Sequence, residues 1–352
     1  MRLLSSQVSP QLKQTDNHPL FGCRIEGVMG PQQPPPSVQQ QSDQFVWSTL
    51  VSDANSLRQE SKKRPPKDGY LQTLDIEDLS GVLRKQGNLD GWGIAAYPAA
   101  SLNHRPLVLK SPTPAATDIH YPTAAAQELR QHPNILLAHV RLASPEFNQI
   151  QETNVHPFTY GNWSFIHNGA VSGATSPPIL EKIAQNQNVI AAGPKGTTDS
   201  ERSFYYFLSR LHDAAGTVDS EKIPLQVKQM AFAQSIQDLV DHSKPTYKPL
   251  KGEVLGTQGH ILIQPAANFI LSDGQNLFAF KKTLDLFLGQ KTLSNGQKTY
   301  IVSSEKSERN DPAVKWMEIP DNHLLTLTWD KNGNTQVDME PLPELTQKNA
   351  LK

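Results

Sequence analysis

The distribution of helical and strand-like patterns along the chain is what most constrains its fold. Two amphipathic segments, 201–214 and 224–241, carry apolar side chains at helical spacing. Short apolar runs lie on either side of them, at 134–144 and repeatedly between 259 and 330, and the later runs are separated by Asp-Gly and Asn-Gly turns. Because strands occur at both ends with helices between, and no linker divides the chain, the pattern predicts one layered α+β domain.

Composition excludes several classes of protein. The 352 residues carry a net charge of −1, so no basic excess indicates a nucleic-acid partner. Mean hydropathy is −0.49, and no run of about 18 apolar residues indicates a membrane span. The chain has one cysteine, which rules out an internal disulfide and a thiolate zinc cluster. We therefore expect a protein of a reducing compartment, with a cytoplasmic location.

The sequence divides into a main domain and two tails. Residues 1–22 are polar and lack the apolar middle of a secretory signal, so they are interpreted as a propeptide or a disordered tail. The main domain is expected at 23–340 and a C-terminal tail at 341–352. Within the domain, the Pro- and Gln-rich stretch 31–41 is expected to be an exposed loop, followed by helical spacing over 43–61.

Each polar candidate has an ordinary structural explanation when taken alone. Asn168-Gly169, between two apolar runs, is typical of a type I′ hairpin turn. Thr198 and Glu201 fit a capping box, and Asp199 then suits the first turn of a helix. A lone cysteine is usually a small buried hydrophobe. Arg141 inside an apolar strand is less ordinary, because a buried guanidinium requires an anionic partner that the neighbouring sequence does not offer.

The order of the motifs changes this interpretation. The motifs, in chain order, are Cys-Arg-Ile at 23–25, Asp-Gly-Trp-Gly at 90–93, His-x-Arg-x-x-Ser at 139–144, Asn-x-His-Pro-Phe at 154–158, His-Asn-Gly at 167–169 and Thr-Asp-Ser-Glu at 198–201. Taken together, these motifs resemble the class II glutamine amidotransferases, which belong to the N-terminal-nucleophile hydrolases, and in particular the stand-alone members that carry Asp-Gly-Trp-Gly.

The resemblance implies a fold and a nucleophile. The fold is the four-layer αββα sandwich, in which two antiparallel sheets lie between helical layers. Cys23 is the nucleophile, with its own α-amino group as base. The side chain of Asn168 and the backbone N–H of Gly169 form the oxyanion hole. Asp90-Gly91-Trp92-Gly93 either lines the core beside the nucleophile or serves packing alone.

The resemblance also implies how substrate is held. Arg141 binds the α-carboxylate of a glutaminyl group, since its guanidinium matches a carboxylate in two hydrogen bonds. Asp199 binds the α-ammonium. Ser144 stands near the substrate where the family usually has threonine, and His156 supports the pocket.

The position of Cys23 requires one further expectation. Its amine is part of the Gly22-Cys23 peptide bond, and no methionine directly precedes it. Removal of residues 1–22 is therefore predicted, through attack of the Cys23 thiol on the preceding carbonyl.

Three functions follow from these expectations. The first is a glutaminase-type amidotransferase that cleaves a γ-glutamyl amide through a Cys23 thioester and hands ammonia to a separate acceptor enzyme. The second is a γ-glutamyl hydrolase of a specialised metabolite. The third is a non-catalytic glutamine-binding module with an unprocessed N-terminus. The chemistry requires no metal or organic cofactor, and neither nucleic acid nor membrane is expected as a partner.

Overall fold

The structure is a computed structural model that describes most of the chain with several gaps. The described residues are 23–53, 56–61, 88–99, 104–143, 149–187, 190, 193–244, 246–249, 260–263, 265–306 and 313–342.

Strands lie at both ends of the described chain and the two longest helices lie between them, as the sequence pattern predicts. The helices are Pro36–Trp47 (α1), Leu57–Glu60 (α2), His120–Leu129 (α3), Pro177–Gln185 (α4), Asp199–Ala215 (α5) and Leu225–Asp241 (α6). The strands are Arg24–Met29 (β1), Trp92–Pro98 (β2), Leu107–Ser111 (β3), Pro133–Val140 (β4), Phe158–Tyr160 (β5), Trp163–Ala170 (β6), Thr246–Pro249 (β7), His260–Ile263 (β8), Ala266–Ser272 (β9), Leu277–Lys281 (β10), Phe287–Thr292 (β11), Lys298–Ser303 (β12), Val314–Glu318 (β13), His323–Trp329 (β14) and Thr335–Pro341 (β15).

Two antiparallel sheets form the centre of the molecule. Across the described residues, the first sheet has the order β13-β11-β12-β1-β4-β2-β3 and the second has the order β15-β14-β10-β9-β6-β5. The sheets pack face to face through apolar side chains from both, including Ile25, Leu137 and Ile166. Helices α1 and α3 cover the outer face of the first sheet, and α4, α5 and α6 cover that of the second. The predicted four-layer αββα sandwich is therefore confirmed.

Strand alternation decides which residues of β1 face the other sheet. Ile25 and Met29 point into the layer between the sheets, whereas Val28 packs under the outer helices. Cys23 shares the side of Ile25 because the two residues are two positions apart. In the partner strand β4, His139 lies opposite Ile25 and shares its face. Cys23 and His139 therefore lie at the end of this inner layer, next to its apolar residues.

The prediction of an exposed loop over 31–41 is wrong for its second half. Helix α1 begins at Pro36, and Val38 and Gln39 are buried. Proline is tolerated in the first turn of a helix because its missing N–H would have no partner there. Val38 and Phe45 are seven positions apart and therefore lie on the same face of the helix, and both are buried.

The prediction of a hairpin turn at Asn168-Gly169 is also wrong. Both residues lie inside β6, where Asn168 pairs with Asn268 and Gly169 pairs with Ala267 on β9. The strand that pairs with β6 comes about a hundred residues later, not directly after the Asn-Gly pair. Glycine is required for a different reason, since Gly169 has φ +141° and an added Cβ would lie 2.0 Å from the Ala266 carbonyl oxygen.

No helix among the described residues has the length and apolar character needed to cross a membrane.

A buried ion pair joins α6 to the second sheet. Lys228 Nζ lies 2.5 Å from Asp273 Oδ2, and both side chains are almost completely buried. Asp273 also accepts the backbone N–H groups of Gln275 and Asn276, which fixes the turn between β9 and β10. Each charge thus depends on the other for its stability in the interior.

We expect Lys228→Met to lower the free energy of unfolding by about 3–5 kcal/mol, because it leaves the Asp273 carboxylate buried without a cation. Chemical denaturation followed by tryptophan fluorescence measures this change. Lys222→Met is the matched control, since Lys222 is exposed and its pair with Asp219 is open to solvent. Equal effects of the two substitutions would contradict the role of the buried pair.

Candidate functional site

The register between β1 and β4 brings the single cysteine next to an arginine. Arg24 pairs with Val140, so continuing the ladder by one residue places Cys23 opposite Arg141. The thiol lies against the next backbone unit. Leu142 N–H donates to Cys23 Sγ over 3.4 Å, and the thiol donates to the Leu142 carbonyl over 3.6 Å. The sulfur is thus fixed at the end of the layer between the sheets.

Burial dominates the acidity of this thiol. It raises the pKa of Cys23 to about 11. The Leu142 hydrogen bond and the charge of Arg141 act in the opposite direction, whereas the carboxylates of Asp90 and Asp199 raise the pKa further. At neutral pH the group is therefore a thiol and needs a base before it can act as a nucleophile.

Arg141 is buried among the negative groups that its charge requires. Its side chain is 3% exposed. Burial lowers the pKa of the guanidinium, and the carboxylates of Asp90 and Asp199 oppose that shift. One nitrogen donates to the Gln149 carbonyl over 3.4 Å. The anionic partners missing from the neighbouring sequence thus come from distant segments of the chain.

Asp90 is a site residue whose role the sequence left undecided. Its Oδ2 accepts the Ala143 N–H over 2.8 Å, and its backbone N–H donates to the Arg141 carbonyl over 3.0 Å. Arg141 N–H in turn donates to the Gly91 carbonyl over 2.8 Å. The first residue of the Asp-Gly-Trp-Gly motif therefore holds the backbone on both sides of Leu142 and adds negative charge beside the thiol.

Asp199 connects the start of α5 to the end of β6. Its Oδ2 accepts the Val171 N–H over 2.8 Å, and its Oδ1 accepts the Ser200 N–H over 2.9 Å. Thr198 caps the helix by accepting the Glu201 N–H, as predicted. Glu201 departs from a reciprocal capping box, because its carboxylate accepts the Lys195 and Gly196 N–H groups instead.

Asn168 presents a buried amide to the same region. Its side chain is 1% exposed, and within the described residues its Oδ1 has no hydrogen-bond partner. The peptide group before it is held from the other sheet, since His139 Nε2 lies 3.2 Å from the His167 carbonyl oxygen. A carbonyl can only accept, so Nε2 carries the hydrogen. This bond positions Asn168 relative to β4, and hence to Cys23.

Three buried, uncharged histidines lie together at the hydrogen bond between His139 and the His167 carbonyl. His156 stacks on His139 with ring centroids 4.0 Å apart, and neither ring nitrogen of His156 has a partner in the described part of the chain. His167 lies between the Ser200 hydroxyl and the Ala266 carbonyl, at 2.9 and 3.1 Å. Burial lowers the pKa of each ring, that of His139 to about 3. All three are neutral at pH 7.

The structure thus brings together most of the residues that the sequence singled out. Cys23, Arg141 and Asp199 interact electrostatically with one another, and Asn168 and His156 reach the same region through His139. Ser144 lies outside the described residues. Over the described ranges, no group of three or more His, Cys, Asp or Glu side chains has an arrangement suited to a metal ion.

Comparison with known proteins finds a family that part of the chain resembles. Residues 77–239 match the family model of class-II glutamine amidotransferases. The matched range includes Asp90, Arg141, Asn168 and Asp199 but begins after Cys23, which the strand register brings to them. The similarity to class II glutamine amidotransferases over this range indicates that the protein is an enzyme.

Individual relatives of this chain are distant in sequence. A probable glutamine amidotransferase of Saccharomyces cerevisiae, DUG3, is 26% identical over 270 residues, which cover 69% of this chain and 71% of that protein. The γ-glutamyl-hercynylcysteine sulfoxide hydrolase of Mycobacterium tuberculosis is 32% identical over 119 residues, which cover 33% of this chain and 48% of that protein. Among solved structures, the glutamine phosphoribosylpyrophosphate amidotransferase of B. subtilis shares the fold, with a TM-score of 0.50 and 14% identity over 91% of this chain and 49% of that one.

We expect the reactivity of Cys23 with iodoacetamide to rise with pH toward a midpoint near the raised pKa of about 11. Asp90→Asn removes a negative charge beside the thiol and moves the midpoint to lower pH. Arg141→Gln removes a positive charge and moves it to higher pH. Alkylation followed by mass spectrometry reports this thiol specifically, because the chain has one cysteine.

The control for these shifts is Asp338→Asn. Asp338 is exposed on β15, which is four strands from β6 in the second sheet and hence about 19 Å away. We therefore expect Asp338→Asn to leave the pH midpoint of Cys23 alkylation unchanged. A midpoint that moves in the same direction for Asp90→Asn and Arg141→Gln would contradict an electrostatic origin of the shifts.

Proposed function

We propose that this enzyme hydrolyses the γ-amide bond of a γ-glutamyl compound through a thioester on Cys23. The observation that supports it most directly is the position of Cys23 opposite Arg141, one residue beyond the last pair of β1 and β4, with Asp199 close enough to both to act on their pKa values. A thiol between a guanidinium and a carboxylate suits a substrate that has an α-carboxylate, an α-ammonium and a reactive carbonyl.

The proposed reaction begins with the loss of the thiol proton. The α-amino group of Cys23, freed from Gly22, takes this proton; its reference pKa of about 7.7–8 suits a base near neutrality. The sulfur bonds to the γ-carbonyl carbon, and the electron pair of the carbonyl moves to oxygen. The Asn168 amide and the Gly169 N–H stabilise that oxyanion, and each such donor typically contributes about 3 kcal/mol.

Collapse of the tetrahedral intermediate, formed when the sulfur adds to the γ-carbonyl carbon, releases the amine. The carbon–nitrogen bond breaks, the leaving nitrogen takes the proton from the α-ammonium of Cys23, and a γ-glutamyl thioester remains. Water then attacks the thioester by the same route and restores the thiol. Burial serves this chemistry, because fixed dipoles stabilise charge more strongly where water is excluded.

Two products follow from two classes of substrate. Free glutamine yields ammonia, which a separate acceptor enzyme would use. A larger γ-glutamyl amide yields an amine, and the 32% identity with a γ-glutamyl-hercynylcysteine sulfoxide hydrolase favours this second candidate. Rates of turnover on glutamine and on a panel of γ-glutamyl amides distinguish the two.

The N-terminus of the active protein tests the free-amine mechanism. We expect intact-mass measurement to show a chain that begins at Cys23, and 6-diazo-5-oxo-L-norleucine, a glutamine-analogue electrophile, to label that cysteine. Cys23→Ala is the control and is expected to retain residues 1–22, because it lacks the attacking thiol. Full activity in a chain that still begins at Met1 would contradict the role of the amine, and binding without turnover would contradict hydrolysis.

Substitution at the head-group residues tests how substrate is bound. Arg141→Met and Asp199→Asn are each expected to raise KM by about 10-fold or more, because each removes a charge that pairs with one end of the head group. Steady-state kinetics with glutamine or the preferred γ-glutamyl amide measures this. Asp213→Asn is the matched control, since Asp213 also lies on α5 but pairs with Lys182 on the surface. An unchanged KM in both site variants would place substrate recognition elsewhere.

A further inference from the structure

The side chain of Asn154 connects two loops that border the site. Its Oδ1 accepts the Thr197 N–H over 2.9 Å. Its Nδ2 donates to the Gln149 carbonyl and to Thr197 Oγ1, both over 3.2 Å. The side chain is fully buried. Both ends of the amide therefore bond to Thr197 on one loop, and the amide nitrogen also bonds to Gln149 on the other.

Each of these loops leads to one of the two head-group residues. The Gln149 carbonyl that accepts from Asn154 also accepts from Arg141, over 3.4 Å. On the other side, Thr197 is followed directly by the helix cap Thr198 and by Asp199. A continuous path of hydrogen bonds and two peptide links thus runs from the guanidinium to the carboxylate, and Asn154 is its central member.

The segment before α5 is tightly held around Asn154. The Glu201 carboxylate accepts the N–H groups of Lys195 and Gly196, over 2.9 and 2.6 Å. At Gly196 an added Cβ would lie 2.3 Å from Asn154 Oδ1 and 2.7 Å from the Thr153 carbonyl oxygen. The two loops are therefore in close contact and cannot slide past each other without breaking these bonds.

We propose that Asn154 is a positioning residue that fixes the separation between Arg141 and Asp199, and thereby the binding of the amino-acid head group. This inference rests on the proposed function. An α-carboxylate and an α-ammonium are joined by one carbon, so their two counter-ions must be held at a fixed spacing. Without Asn154, the Thr197 N–H and the Gln149 carbonyl lose a partner and the loops separate.

Two reagents for the same thiol distinguish positioning from general stability. The glutamine analogue 6-diazo-5-oxo-L-norleucine needs the head-group site to reach Cys23, whereas iodoacetamide carries no head group. We expect Asn154→Ala to lower the efficiency of labelling by the analogue by about 10- to 100-fold, and to leave alkylation by iodoacetamide within about twofold. In turnover, KM rises by a similar factor.

Asn154→Asp gives a second, milder test. It keeps an acceptor for the Thr197 N–H but loses the donor to the Gln149 carbonyl, so we expect an effect between those of the parent protein and Asn154→Ala. Asn276→Ala is the matched control. Asn276 is buried and donates to both oxygens of Asp273, but it lies at the β9–β10 turn, beyond the opposite end of β9 from the residues that pair with Asn168 and Gly169. It is expected to lower stability and to leave the ratio of the two labelling rates unchanged.

Each outcome of this experiment decides a separate point. Parallel losses with both reagents in the Asn154 variants, or no loss with either, overturn the positioning role. A control variant that changes the ratio as strongly as Asn154→Ala also overturns it. Failure of the analogue to label the parent protein overturns the proposed function, and this inference with it.

Discussion

The antiparallel pairing of β1 with β4 is the interaction on which the rest of the site depends. One register sets Arg24 against Val140, and continuing it by one residue places Cys23 opposite Arg141. A shift of one residue would turn every side chain of β1 to the other face and send the thiol toward the outer helices. The apolar residues Ile25 and Met29 prevent that shift, because they must remain between the sheets. Packing of the core thus determines where the sulfur of Cys23 lies.

The charges of the site are few and come from distant parts of the chain. Arg141 supplies positive charge, Asp90 and Asp199 supply negative charge, and the three neighbouring histidines are kept neutral by burial. In such an interior each charge is felt strongly by its neighbours. The two carboxylates that neutralise the guanidinium also make the thiol harder to ionise. An amine close to the sulfur, as the proposed mechanism requires, would relieve that conflict by taking the proton locally.

The sequence was sufficient for the order of elements but not for their contacts. Apolar runs and helical spacing predicted α5, α6, β4 and the later strands, because burial imposes those periodicities directly. The prediction failed at Pro36, where the proline and glutamine content suggested a loop but a helix begins. It also failed at Asn168-Gly169, a dipeptide typical of turns, because β6 continues through these residues and pairs there with β9. The proximity of Asp90 to Arg141 depends on strand register and on bonds to backbone groups, which local patterns do not encode. Motif order singled out the candidate residues, and only the fold shows the hydrogen bonds of Asn154 that lie between them.

The central place of β1 has a consequence for the cysteine that precedes it. The strand is hydrogen-bonded along both edges, to β4 on one side and β12 on the other. Arg24 adds ion pairs to Glu60 at 3.3 Å and Glu305 at 2.6 Å. The first residues of a polypeptide are ordinarily among its most mobile. A terminus created at Cys23 would instead be held as rigidly as backbone in the middle of a sheet. Its amine and its sulfur would therefore keep a constant mutual orientation through every catalytic cycle.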